Sequence, residues 1–95
     1  MNHTNTPELP RKITLGDIQA KVIKATYTRV PDTTLTICVL TLEKGFIVTG
    51  QSACLDLKEF NAAVGEQIAH NEAIDKIWDL EGYLLSQRRY EAGLK

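Results

Sequence analysis

The side chains with chemical potential gather in the second half of the sequence, on a stretch whose apolar spacing is helical. Gln67, His70 and Asn71 fall within or beside the apolar stripe of that stretch. A polar group on a packing face costs free energy unless it is hydrogen-bonded. Asn71 is the sharpest case, because a helical wheel places it between Phe60, Val64 and Trp78. It implies either an internal hydrogen bond, to a strand or a partner helix, or a polar contact in a pocket. Glu81 and Arg88 fall near one edge of the stripe, about two helical turns apart. There they can reach across a subunit boundary or sit in solvent. Arg88 and Arg89 are the adjacent basic pair of this half. With Lys95, and with Arg11 and Lys12 if the N-terminus folds near, they would make an anion site. Trp78 and Tyr83 offer faces on which a nucleobase can stack, although Trp78 at this spacing reads first as core. The candidate binding residues are therefore Asn71, Trp78, Glu81, Tyr83, Arg88 and Arg89.

Catalytic and metal-binding patterns are poor. His3 and His70 come with no Cys-x-x-Cys or His-x-x-x-His spacing, so no metal site is expected. Ser52 and Ser86 lack a Gly-x-Ser-x-Gly context. Gly45 and Gly50 belong to a hairpin rather than a phosphate-binding loop. Asp75, Asp79 and Glu81 are scattered around the helix instead of facing one point. A chain this short leaves little room for a closed cleft with supporting residues behind it. The expectation is a protein that is not an enzyme, with no catalytic residues and no cofactor.

The elements that must position these residues fit one domain of 95 residues, with 43% apolar and 24% charged residues. Eleven basic residues stand against 12 acidic, a net charge of −1. That balance argues against nucleic acid or an anionic membrane as partner. No apolar run approaches the roughly 18 residues of a spanning helix, and Met1 to Arg11 has no apolar signal core. Small domains need a staple. Cys38 and Cys54 read as reduced thiols, Cys38 in the core. With neither disulfide nor metal expected, self-association remains, and a homo-oligomer is expected.

Residues 1–12, with Pro7 and Pro10, read as a flexible lead-in, 13–90 as a single α+β domain and 91–95 as a frayed tail. Thr14 and Asp17 form Thr-x-x-Asp, a weaker form of the capping box, with Ile13 and Ile18 at staple positions. The stripe Ile18, Val22, Ala25 predicts a short helix from Leu15 to Lys24. Thr34 to Gln51 reads as an antiparallel hairpin around Glu43-Lys44-Gly45, with Gly45 supplying positive φ. Tyr27 to Val30 is a candidate third strand. Thr34 to Leu42 is apolar on both faces. One face should meet the helices, the other the N-terminal helix or another subunit. Asp56 and Glu59, with Leu55 and Phe60 around them, predict a second helix start. That helix runs to about Tyr90, with candidate breaks at Asn61, Gly65 and Gly82. Its packing face should carry Phe60, Val64, Ile68, Ile74, Trp78 and Leu85, widened by Ile77 and Leu84 with Ala73 and Leu80 further round, and Glu72 should pair with Lys76 outside. The fold class is thus α+β: a short N-terminal helix, a hairpin with a candidate third strand, and a long C-terminal helix.

The blocks Thr36-Ile37-Cys38-Val39-Leu40-Thr41-Leu42, Lys44-Gly45-Phe46, Val48-Thr49-Gly50 and Ser52-Ala53-Cys54 resemble a small tailed-phage protein family. That family is labelled by the gene 49 product of one enterobacterial phage and the gene 66 product of another. Phe60, Gly65, Ile68-Ala69, Asn71, Ala73, Lys76-Ile77-Trp78 and Leu80-Glu81-Gly82-Tyr83-Leu84-Leu85 continue the likeness, which covers Ile13 to Leu85. Leu57 stands where the family pattern has a proline, so the helix after it is expected to begin differently. The resemblance implies phage or prophage origin and action in the host bacterial cytoplasm. It supplies no activity and no catalytic residues. The leading expectation is a non-enzymatic phage accessory protein that binds a host component, a host or defence protein, as a small oligomer. Sequestration of a small nucleotide signal by the oligomer is the alternative, and nucleic-acid binding the third.

Overall fold

The structure, a computed structural model, describes residues 12–94. The lead-in expected at 1–12 therefore lies outside the described residues, apart from Lys12. The order is α1 (Leu15–Lys21), β1 (Val22–Arg29), β2 (Thr36–Leu42), β3 (Ile47–Ser52) and α2 (Ala62–Glu91). The strands form one antiparallel sheet in the order β1-β2-β3, so the candidate third strand is present and longer than expected. The fold is α+β, with a short N-terminal helix and a long C-terminal one.

Thr14 caps α1. Its side chain accepts from the Asp17 N–H at 3.1 Å, and Asp17 accepts from the Thr14 N–H at 2.9 Å. Ile18 is fully buried and Ile13 packs against the same core. The helix stops at Lys21, short of the predicted Lys24. Val22, Ile23, Thr26 and Thr28 are β-branched and favour extended backbone, so the chain turns straight into β1. Val22 and Ala25 are consequently strand residues, not members of a helical stripe.

Burial along β2 alternates strictly. Thr36, Cys38, Leu40 and Leu42 are buried, while Ile37, Val39 and Thr41 are half-buried. Ile18 joins Cys38, Leu40 and Leu42 with Ala69, Ala73 and Ile77 in one core, so both helices lie on one face of the sheet. The N-terminal helix does not cover the second face, as one sequence reading had allowed.

Asp56 does start a helical turn, but a short one. Its carboxylate accepts from the Lys58 N–H at 2.9 Å above a 3-10 turn, Leu57–Glu59. Phe60 and Asn61 are then extended, and Asn61 caps α2 by accepting from the Val64 N–H at 3.1 Å. From Ala62 the helix runs 30 residues without a break. Neither Gly65 nor Gly82 interrupts it. Gly93, at φ 80°, and Leu94 close its end by donating to Tyr90 and Arg89 carbonyls.

The packing face of α2 is the predicted one only in its second half, where Ile74, Ile77 and Leu85 are buried and Trp78 packs against the core. Gly65, Ala69, Ala73 and Ile77, each four residues apart, face the sheet, with Ile74 and Leu85 also buried. Val64 and Ile68 are more than half exposed. The cause lies opposite, at Gly50. A Cβ there would overlap the Ala69 carbonyl oxygen and the Ala73 amide, so helix and strand meet backbone to backbone. Only small side chains fit that approach. Glu72 does not pair with Lys76; its carboxylate accepts from the Gln51 N–H of β3 at 2.8 Å.

Gly50→Ala should cost at least about 3 kcal/mol, while Gly82→Ala, with open space at its Cβ position, should gain about 1 kcal/mol. Urea denaturation midpoints measure both. The Thr14 hydrogen bonds, first the backbone one, hold the Asp17 carboxyl below its ordinary value of 3.8. A depressed folded-state pKa gives stability that is present above about pH 4 and lost on acidification. Asp17→Asn should therefore flatten the acid limb of a stability-against-pH curve.

Candidate functional site

At 1.5 Å per residue, α2 is about 45 Å long, whereas a seven-residue strand such as β2 spans about 23 Å. The helix therefore outruns the sheet. On one side of the excess, Lys12 and Ile13, just before α1, lie beside Trp78 and Leu85. On the other, the β2-β3 hairpin tip and α2 leave a groove of about 380 Å³.

The groove is built from both elements. Leu42 and Phe46 come from the hairpin, and Leu80, Tyr83 and Leu84 from α2. Phe46 is 58% exposed, Tyr83 69% and Leu84 44%. Large apolar surface thus faces water here. Lys21, Lys44 and Arg88 supply positive charge to the rim, Glu43 and Glu81 negative. Lys21 Nζ lies 3.3 Å from Glu43 and 3.9 Å from Glu81. The last residue of α1 is thereby tied to the hairpin turn and to α2 at once. Among the described residues, Lys44 and Arg88 have no ion-pair partner.

The hairpin turn carries more strain than its sequence suggested. Gly45 is left-handed at φ 85°, but so is Lys44 at φ 69°. A residue with a Cβ pays roughly 1–2 kcal/mol for that conformation. The Leu42 N–H donates to the Phe46 carbonyl at 2.7 Å and closes the turn around it. Strain of this kind gathers at functional positions.

The structure brings together Glu81, Tyr83 and Arg88 from the sequence candidates and separates the others. Trp78 and Arg89 line a second, shallower depression with Lys12, Ile13 and Leu85. Trp78 and Tyr83 are about 140° apart around a helix, and Arg88 and Arg89 about 100°, so neither pair shares a wall. Asn71 lies on the exposed side, accepting from Gln67 Nε2 at 2.9 Å. Glu81 is mostly buried beside Lys21 and serves the core edge rather than open solvent. Sequence reasoning missed Lys21, Phe46 and Leu80, and took Lys44 only as a turn residue. An aromatic directly after a Lys-Gly tip was the signal for Phe46.

Chemically the groove offers apolar burial and charge, without a nucleophile beside a base. Among the described residues, no group of three or more His, Cys, Asp or Glu is placed to hold a metal ion. Cys38 and Cys54 are free thiols. Burial pushes the Cys38 thiol up, away from reactivity. Burial likewise raises the Tyr27 hydroxyl, with Cys38 and Glu66 nearby adding to the shift.

A family model described as phage protein (N4 Gp49/phage Sf6 gene 66) matches residues 13–89. The chain belongs to this phage protein family. The match begins at the staple residue Ile13 and takes in every residue of the groove, from Lys21 to Arg88. No curated protein and no solved structure matches the chain. Among the described residues of this family member, no helix is long and apolar enough to cross a membrane.

Lys44→Gly should stabilise the fold by about 1 kcal/mol, because glycine adopts positive φ freely. The gain is read from the denaturation midpoint, and it separates the turn's strain from its charge.

Proposed function

We propose that this phage-family chain is a non-enzymatic accessory protein that binds a host component, a host or defence protein, as a small oligomer in the bacterial cytoplasm. The groove between the hairpin tip and α2 is the binding surface. One observation carries the reading: Phe46, Leu80, Tyr83 and Leu84 stand exposed side by side, with Lys44 and Arg88 at the rim. Soluble monomers rarely leave such patches uncovered, and aromatic residues with arginine dominate the binding energy of protein interfaces. The second reading, sequestration of a nucleotide signal, draws on the same rim. Glu43 and Glu81 are both held by Lys21, which leaves Lys44 and Arg88 as the charges open to an anion.

The test is affinity purification of the tagged chain from its bacterial host, with quantitative mass spectrometry against a Leu84→Asp variant. Leu84 is exposed, so the variant keeps its fold. A host protein enriched by the wild type and lost in the variant is the expected outcome. Recovery of the same proteins with both would sink the reading. A nucleotide that stays bound through gel filtration would replace it with sequestration.

A further inference from the structure

The groove between the hairpin tip and α2 is uneven in charge as well as apolar. Three cations and two carboxylates surround it, Lys21, Lys44 and Arg88 against Glu43 and Glu81. Both carboxylates are engaged by the Lys21 ammonium, at 3.3 and 3.9 Å. The rim is thus left with one excess positive charge, on a chain whose net charge is −1. The two cations without an ion-pair partner among the described residues stand on different walls, Lys44 on the hairpin and Arg88 on α2.

The walls present side chains rather than a strand edge. Leu42 ends β2, and its N–H donates to the Phe46 carbonyl, so the hairpin backbone is already engaged here. On α2, Leu80, Leu84 and Arg88 follow one another at intervals of four residues and form a single ridge. The apolar face of another helix packs against such a ridge, whereas an extended peptide needs a free row of N–H and C=O groups.

We infer that the groove receives a short acidic amphipathic helix of the partner protein. Its apolar residues seat between Phe46 and the Leu80–Leu84 ridge, and its carboxylates lie over Lys44 and Arg88. This rests on the host-protein reading above and names the chemistry of the segment bound.

Charge complementarity selects this occupant. A neutral helix would bury apolar surface but leave both cations unpaired, and a basic one would be repelled. Because the cations face each other across the apolar floor, the ligand needs carboxylates on both flanks of an apolar stripe. That is the pattern of an amphipathic helix. The Arg88 guanidinium can take a carboxylate through two parallel hydrogen bonds. Lys44 adds an independent sign. At φ 69° it sits where glycine would be less strained, so its side chain is held at the tip against its own backbone preference.

The experiment pans random dodecapeptides displayed on phage against the full chain, with Leu84→Asp as the subtractive target. Enriched peptides are then titrated by fluorescence anisotropy. The expected sequences carry Asp or Glu on both flanks of apolar residues at helical spacing, and they gain helical circular dichroism on binding. Lys44→Glu combined with Arg88→Glu should weaken them at least about tenfold. Lys58→Glu combined with Lys76→Glu, the same change in net charge at exposed positions outside the groove, should leave affinity unchanged. Lys44→Gly should raise the denaturation midpoint yet weaken binding, a pairing that a purely structural lysine would not give.

Failure to enrich any peptide over Leu84→Asp overturns the inference. So do enriched sequences that are neutral or basic, or binding indifferent to the groove charge reversal. A host protein that prefers the wild type to Leu84→Asp, but holds equally to the charge-reversed groove, leaves host binding standing and removes the acidic helix. Acidic helical peptides that bind as expected, with no host protein captured, preserve the groove's preference and remove the host-protein reading.

Discussion

Helix and sheet touch backbone to backbone at Gly50, and the rest of the molecule follows from that approach. With no side chain on the strand at this point, α2 comes down until its own peptide groups at Ala69 and Ala73 fill the space. The helix must then present its smallest residues there, and Gly65, Ala69 and Ala73 do so, with the larger Ile77 following once the approach has passed. Each step of four residues advances about 40° around the helix. The packed face therefore winds around α2 as it crosses the sheet. Bulkier apolar residues, Val64 and Ile68 early and Leu80, Tyr83 and Leu84 later, are turned outward by the same geometry. The close approach has a local cost: the Thr36 hydroxyl is buried beside Gly65 with no hydrogen-bond partner.

The groove is the product of two mismatches, one of length and one of face. The helix outlasts the strands, and its large residues are excluded from the core. Lys21 keeps this region in order by meeting Glu43 and Glu81 together. The Glu43 contact is exposed and weak on its own. Its value lies in geometry, since it fixes three elements around one ammonium group. The neighbouring Lys44 has no such duty, and its charge stands at the rim without an ion-pair partner among the described residues.

The elements were largely legible in the sequence, because their signals are local. The Thr14 and Asp17 capping box, the β-branched run Thr36 to Leu42 and the Lys-Gly turn each act within a few residues. The helix ends were less so. Val22 and Ala25 fit a helical stripe by spacing, and only their β propensity argued otherwise. The packing face of α2 was misjudged in its first half for a different reason. Ranking positions by apolarity selects Val64 and Ile68, whereas the deciding quantity is the distance allowed by Gly50, a residue on another element. The groove was legible only in part for the same reason. Glu81, Tyr83 and Arg88 were visible as helix residues, but their partners Lys21, Lys44 and Phe46 come from elsewhere in the chain.

No residue separates α1 from β1: Lys21 ends the helix and Val22 begins the strand. A seven-residue helix is far too short to persist alone in water, so α1 exists only while Ile18 is seated in the core. Without a slack linker, α1 cannot swing while β1 stays still. The two behave as a single lever, with the edge strand as one arm and the Lys21 ammonium at its fulcrum. Loosening either element therefore loosens the other, and Lys21, at their junction, carries that motion to the groove it lines.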